Sequence, residues 1–190
     1  MNNKTLGVLA LLGAPAMYLG ILAEEHYPSL HEKWWTGAWG ITYITAFMIS
    51  IVALRRMRVT GDTRFGRRLP EVLLGTLTLA NVSNFWLLVA PDYRPTVYWV
   101  LDTFWPLSHL LMIPFGILVI RTRRLSGWRR YIPLLCGCWL PLAMATKFGV
   151  PAPVALFFGG IYNALAWCLL AAVVIAPAKA REPDLKAFPA

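Results

Sequence analysis

Apolar residues in this chain fall in long unbroken blocks, without the strict alternation of a half-buried strand. Six blocks stand out, over residues 5–23, 36–54, 69–90, 96–120, 131–146 and 153–177. A helix needs about 20 mainly apolar residues to cross a hydrocarbon core of about 30 Å. All six blocks meet or approach that length, the fifth being the shortest. Backbone polar groups in lipid must bond within the chain, and barrel-like alternation is lacking, so each block predicts a helix. No long polar segment separates the blocks. The expected fold is therefore one all-α transmembrane bundle of six spans over residues 1–178, with a short tail at 179–190.

The first block imitates a cleavable signal peptide, with Lys4, an apolar run from Leu6 to Leu12, and Ala14-Pro15-Ala16. Apolar character continues through Met17–Ala23, which favours an uncleaved first span.

Basic residues orient the bundle. Arg55, Arg56, Arg58, Arg64, Arg67 and Arg68 follow the second block, and Arg121, Arg123, Arg124, Arg129 and Arg130 follow the fourth. Lys4 precedes the first block, and Lys179, Arg181 and Lys186 follow the sixth. With six spans these groups share one face, leaving only Lys33, Arg94 and Lys147 of the 18 lysines and arginines opposite. Short cytoplasmic loops are enriched in Lys and Arg, so both termini are expected in the cytoplasm. Short loops and strong basic bias fit a plasma membrane of the bacterial inner-membrane type.

Composition agrees with the pattern. The chain of 190 residues is 58% apolar and 14% charged, against about 45–50% and about 25% in soluble domains. Its net charge of +9 would suit a nucleic-acid partner, but the basic residues are topology signals that also contact anionic lipid headgroups. No nucleic-acid-binding motif accompanies them, so membrane lipids are the expected partners and nucleic acid is not. The three cysteines form neither a disulfide framework nor a CxxC pair and read as small buried residues.

Candidate chemistry comes from polar groups inside the spans, which are costly there and mark function or packing. Asp102 and His109 are seven residues apart on one predicted helix face, with Trp105 and Pro106 between them. Pro106 is expected to kink that helix, and Pro114 to break it again. At 1.5 Å per residue, Asp102 lies about 8 Å below the outer end and His109 near the midplane. Asn81 and Asn84 form a stripe in the third span, and Asn163 stands near the middle of the sixth beside Gly159, Gly160 and Trp167. Asp102 must be paired, protonated or wet, with His109 or Lys147 as possible partners. Equally, such residues bond across helices simply to hold a bundle together. Trp34, Trp35, Trp39, Trp86, Trp99 and Trp105 cluster near outer helix ends, as an interfacial belt or as the lining of an outward cavity. In the loop between the first two spans, His26 and His31 are five apart with Pro28 between them, unlike a helical metal pair.

These features favour a protein that binds or transports a small amphipathic molecule in a polar pocket of the outer half. Asp102, His109, Asn81, Asn84 and Asn163 would supply the polar groups, and Trp105 and Trp167 an apolar cover. The alternatives are a non-catalytic accessory or scaffold subunit of a membrane complex, and a membrane enzyme on a lipid-like substrate with Asp102 and His109 as acid and base. Partner subunits or self-association fit the small-residue helix faces. No motif names a cofactor.

Overall fold

A computed structural model describes residues 1–146 and 148–176. The described residues are helical throughout, with no strands. Helix α1 (Asn3–Gly13) is capped by Asn2, whose side chain accepts from Thr5 N at 2.8 Å. A break at Ala14 and Pro15 leads into α2 (Ala16–His26), and a 3-10 turn over Pro28–Leu30 into α3 (Trp34–Arg56). Thr63 caps α4 (Arg64–Val89) by accepting from Gly66 N at 3.0 Å. The next segment is split into α5 (Thr96–Asp102) and α6 (Phe104–Thr122), and α6 ends on Arg123 in the left-handed region at φ 53°. Then come α7 (Ile132–Ala145), α8 (Ala152–Leu156), a π-helical turn (Phe157–Ile161) and α9 (Tyr162–Ile175).

Five segments are long and apolar enough to cross a membrane: Asn3–His26, Trp34–Arg56, Arg64–Val89, Thr96–Thr122 and Pro153–Ile175. The chain is thus a helical protein of multi-pass membrane type. The fifth block falls short, because α7 has 14 residues and a length of about 21 Å. Pro133 in its first turn and Thr146 at its end bound it. The end of the sixth block, the tail at 179–190 and Lys147 lie outside the described residues.

Neighbouring segments run antiparallel, and glycines set how close they come. A Cβ on Gly116 would lie 2.5 Å from Leu134 Cα, and one on Gly137 2.7 Å from Ile113 N, so α6 and α7 pack backbone to backbone. Without side chains at these points the helices gain van der Waals contact, the main attraction between helices in lipid. Phe47, Leu73, Leu77, Met112, Phe115 and Leu170 are fully buried at the centre. Leu12, Leu19, Phe85 and Val100 are among the apolar side chains left on the outside, the surface a bilayer would cover.

The two ends of the bundle differ. At one end Arg124 pairs with Asp62, and Arg56 donates to Met1 O at 3.1 Å, gathering the arginine loops and the N-terminus. At the other end Arg94 pairs with Glu32 at 2.7 Å and Lys33 pairs with Asp92, tying the α2–α3 loop to the α4–α5 loop.

Candidate functional site

The intramembrane polar residues separate into a dry network and a cavity. Tyr43 of α3 is central to the first. Its hydroxyl lies 2.9 Å from His109 Nε2 and accepts from Asn163 Nδ2 at 3.0 Å. His109 Nδ1 lies 2.9 Å from Trp105 O. A carbonyl can only accept, so Nδ1 carries the proton, and a neutral ring then takes the Tyr43 proton donor at Nε2. The chain of donors runs Asn163, Tyr43, His109, and His109 returns one bond to its own helix. His109 and Asn163 are wholly buried, and Phe47, Trp105, Trp139 and Trp167 surround the imidazole at centroid distances of 5.6, 5.3, 4.8 and 5.9 Å. Two atoms stay unmatched: Asn163 Oδ1 and the Trp167 indole N–H, which falls short of hydrogen-bond geometry toward Tyr43. Nearby, Ser108 donates to Thr76 Oγ1 at 2.9 Å and joins α6 to α4.

On the other side of Tyr43, a cavity of about 330 Å³ opens toward the end of the bundle away from the arginine loops. Glu24 is its buried acidic pole. Three donors converge on that carboxylate: Thr36 Oγ1 at 2.5 Å, Trp39 Nε1 at 2.8 Å and His31 Nδ1 at 3.0 Å. The Trp39 ring occupies the space where Gly20 has no side chain, a Cβ there lying 2.3 Å from Trp39 Cγ. Glycine at position 20 is therefore what lets the indole reach Glu24. Asn84, Asp102, Arg94, Tyr98, Trp99 and Trp105 complete the rim and walls. Ser83 lies beside the Asp102 carboxyl and donates to Ala80 O at 2.7 Å. Among the described residues Asp102 forms no ion pair. Arg94 makes its hydrogen bonds elsewhere, to Glu32 Oε2 at 2.7 Å, Glu32 O at 2.6 Å and Pro91 O at 3.0 Å. That pairing, chiefly its hydrogen bond, holds the Glu32 carboxyl below its ordinary value of 4.5.

The expected pairing of Asp102 with His109 does not form. Thr103 separates α5 from α6 with backbone angles still helical, at φ -62° and ψ -21°, and seven residues at 1.5 Å each set the two about 10 Å apart along the axis, beyond direct contact; His109 bonds to Tyr43 and to Trp105 O instead. The break lies between the two polar residues, where Pro106 was expected to kink the helix: its missing N–H and its ring act on the carbonyl four residues back, that of Asp102, which ends α5. Lys147, the other expected partner, is outside the described residues.

Of the residues read from the sequence as a site, Asp102, Asn84 and Trp105 line the cavity. His109, Asn163 and Trp167 lie in the dry network. Asn81 belongs to neither, since its Nδ2 donates to Thr45 Oγ1 at 3.1 Å and braces α4 against α3. Of the six clustered tryptophans, Trp39, Trp99 and Trp105 line the cavity, while the Trp35 and Trp86 indoles bond Gly20 O and Tyr93 O. Tyr43 and the central place of Glu24 were missed. A lone tyrosine amid the apolar run of α3 was the available signal, because a buried phenol needs a partner for its hydroxyl.

Set against known proteins, the chain matches no family model, no curated protein and no solved structure.

Proposed function

We propose that this protein is a plasma-membrane protein of six spans with both termini in the cytoplasm, and that it binds or transports a small amphipathic molecule. The single observation that carries the binding reading is the cavity of about 330 Å³ walled jointly by carboxyl groups and tryptophans. Ligand sites combine apolar walls with a few convergent polar groups, and the cavity volume falls in the lower part of their usual range of about 300–1,000 Å³. Asp102, Asn84 and Glu24 would orient the polar part of the ligand, with Trp39, Trp99 and Trp105 against its apolar body.

The topology rests on α7 acting as the short fifth of six spans, beside α6, with the 3-10 turn over Gly127–Tyr131 extending it. Basic residues at one end of the bundle supply the orientation. Reporter fusions after residues 93, 126 and 149 test it, the second being expected in the cytoplasm and the first and third outside.

The acid–base reading has less support. His109 has both ring nitrogens occupied and does not line the cavity. The scaffold reading draws on the dry network alone, which is what inter-helix bonding looks like, and leaves the cavity without a role.

The test is mass spectrometry of small molecules extracted from protein gently purified from its own membrane. An amphipathic compound that accompanies the native protein and is lost from Asp102→Asn supports binding. Identical extracts from the native protein and from Asp102→Asn combined with Trp39→Ala would sink it.

A further inference from the structure

A second cavity, of about 320 Å³, adjoins the first. Met17, Ile21 and Trp105 form walls of both, so the two share a partition. The two differ in chemistry. The second is bounded by Trp139, Leu140, Ala143, Met144 and Gly159, and among the described residues it carries no charged side chain. Its few polar groups are already used: Thr146 Oγ1 donates to Ala143 O at 2.8 Å, and Trp139 Nε1 donates to Gly159 O at 2.9 Å. The π-helical turn lets Gly159 face this space, and a Cβ there would meet nothing within 4 Å.

The first cavity has a surplus of acid. Among the described residues, Glu24, Glu32 and Asp102 line it with one guanidinium, Arg94, which Glu32 already engages twice, and with His31, which lies 3.0 Å from Glu24. Glu24 already takes three donors, one short of the roughly four lone-pair sites of a carboxylate, and Asp102 has no ion pair among the described residues, so Asp102 chiefly and Glu24 in part remain as acceptors for a ligand, among the rings of Trp39, Tyr43, Tyr98, Trp99 and Trp105. Carboxylates among aromatic faces suit an ammonium group, which gains from both the charge and the ring quadrupoles.

We infer that the two cavities are the head and tail halves of one site, and that it takes a single-chain amphiphile with an ammonium head. The inference deepens the binding function proposed above and rests on it. The head sits between Glu24 and Asp102, and the tail passes Met17, Ile21 and Trp105 into the apolar chamber. Moving a tail from lipid to this chamber removes little apolar surface from water, because lipid is already apolar. Selectivity therefore comes from the head, while the chamber decides whether a tailed molecule fits at all.

The experiment measures binding of radiolabelled dodecylamine to the full protein in nanodiscs of neutral phosphatidylcholine, where no anionic lipid recruits the amine. Butylamine, dodecanol and dodecanoate compete, each compared at equal membrane mole fraction. Dodecylamine should bind with one site per protein, with dodecanol and dodecanoate at least tenfold weaker. Ala143→Leu, which fills the chamber, should weaken dodecylamine at least tenfold and leave butylamine unchanged. Gly159→Leu repeats that test from the opposite wall should the first variant fail to fold. Native-like dodecylamine binding in both filled variants, with loss in Asp102→Asn, would overturn the tail chamber and leave the binding function standing. Dodecanoate binding as tightly as the amine would overturn the ammonium head. Binding of every probe no better than to empty nanodiscs would overturn the inference, and the extraction experiment above then decides the binding function separately.

Discussion

Tyr43 has different company on its two sides. Toward α9 and α6 its hydroxyl meets Asn163 and His109 in a space closed by four aromatic rings, with almost every polar atom matched inside the protein. Toward α2 and α5 it borders a cavity where Glu24 gathers three donors and Asp102 has no ion-pair partner among the described residues. The first arrangement is what neutral polar groups require in a low-dielectric interior: Asn163, Tyr43 and His109 each find an acceptor for a proton they donate, and the network stiffens the bundle. Carboxyl groups cost far more to bury: Glu24 is held by three donors, and Asp102 stands at the wall of an open cavity. Polar residues of similar depth therefore serve different ends, and the difference lies in charge and access to water.

That contrast can be broken at either side. His109→Leu should have the largest effect on stability, because it leaves the buried Tyr43 hydroxyl without its acceptor. The expected cost is about 1–3 kcal/mol, read as a lower unfolding midpoint in detergent. Binding in the cavity should survive in the folded fraction, and a loss of binding with an unchanged midpoint would show that the network belongs to the site. Asp102→Asn should do the reverse, lowering affinity for an amine at least tenfold, about 1.4 kcal/mol, with little change in midpoint. Gly40→Ala tests the seam between α3 and α4. The new Cβ would lie 2.4 Å from Asn84 Oδ1 and so pushes that amide from its place. A loss of about 1 kcal/mol in stability is expected, together with weaker binding, since Asn84 lines the cavity.

The smallest effect concerns pH. Glu32 is held below 4.5 by Arg94, so their tie between the two loops is complete above that value and is lost as pH falls through the lowered one. The Glu32 side chain is 57% exposed, so the contribution to stability is small. Hydrogen exchange in the loops flanking Glu32 and Arg94 should be constant from pH 7 to pH 5 after correction for intrinsic rates, and rise only in stronger acid. Arg94→Gln should show the acid-type exchange at every pH.

The helical blocks were legible because an apolar run of membrane length has few other ways to satisfy its backbone. Block five was the weakest by length, and α7 is correspondingly short. The candidate site was legible in part. Asp102, Asn84 and Trp105 stand out as polar or amphipathic groups inside apolar runs, and all three reach the cavity. His109 and Asn163 stand out for the same reason, yet they bond through Tyr43, 66 and 120 positions away from it along the chain. No spacing rule along one helix reveals a hydrogen bond to another.

Hydropathy and charge placement by themselves determined that this is an all-helical protein with membrane-length segments and a basic end, because both are sums over local composition. Which polar residues face one another was decided only in the tertiary structure. Asp102 lines the cavity while His109, two turns on, bonds to Tyr43 of α3, and glycines at 20 and 40 admit the side chains that build the cavity. Such outcomes depend on a few ångströms of packing between segments, and composition carries no record of them.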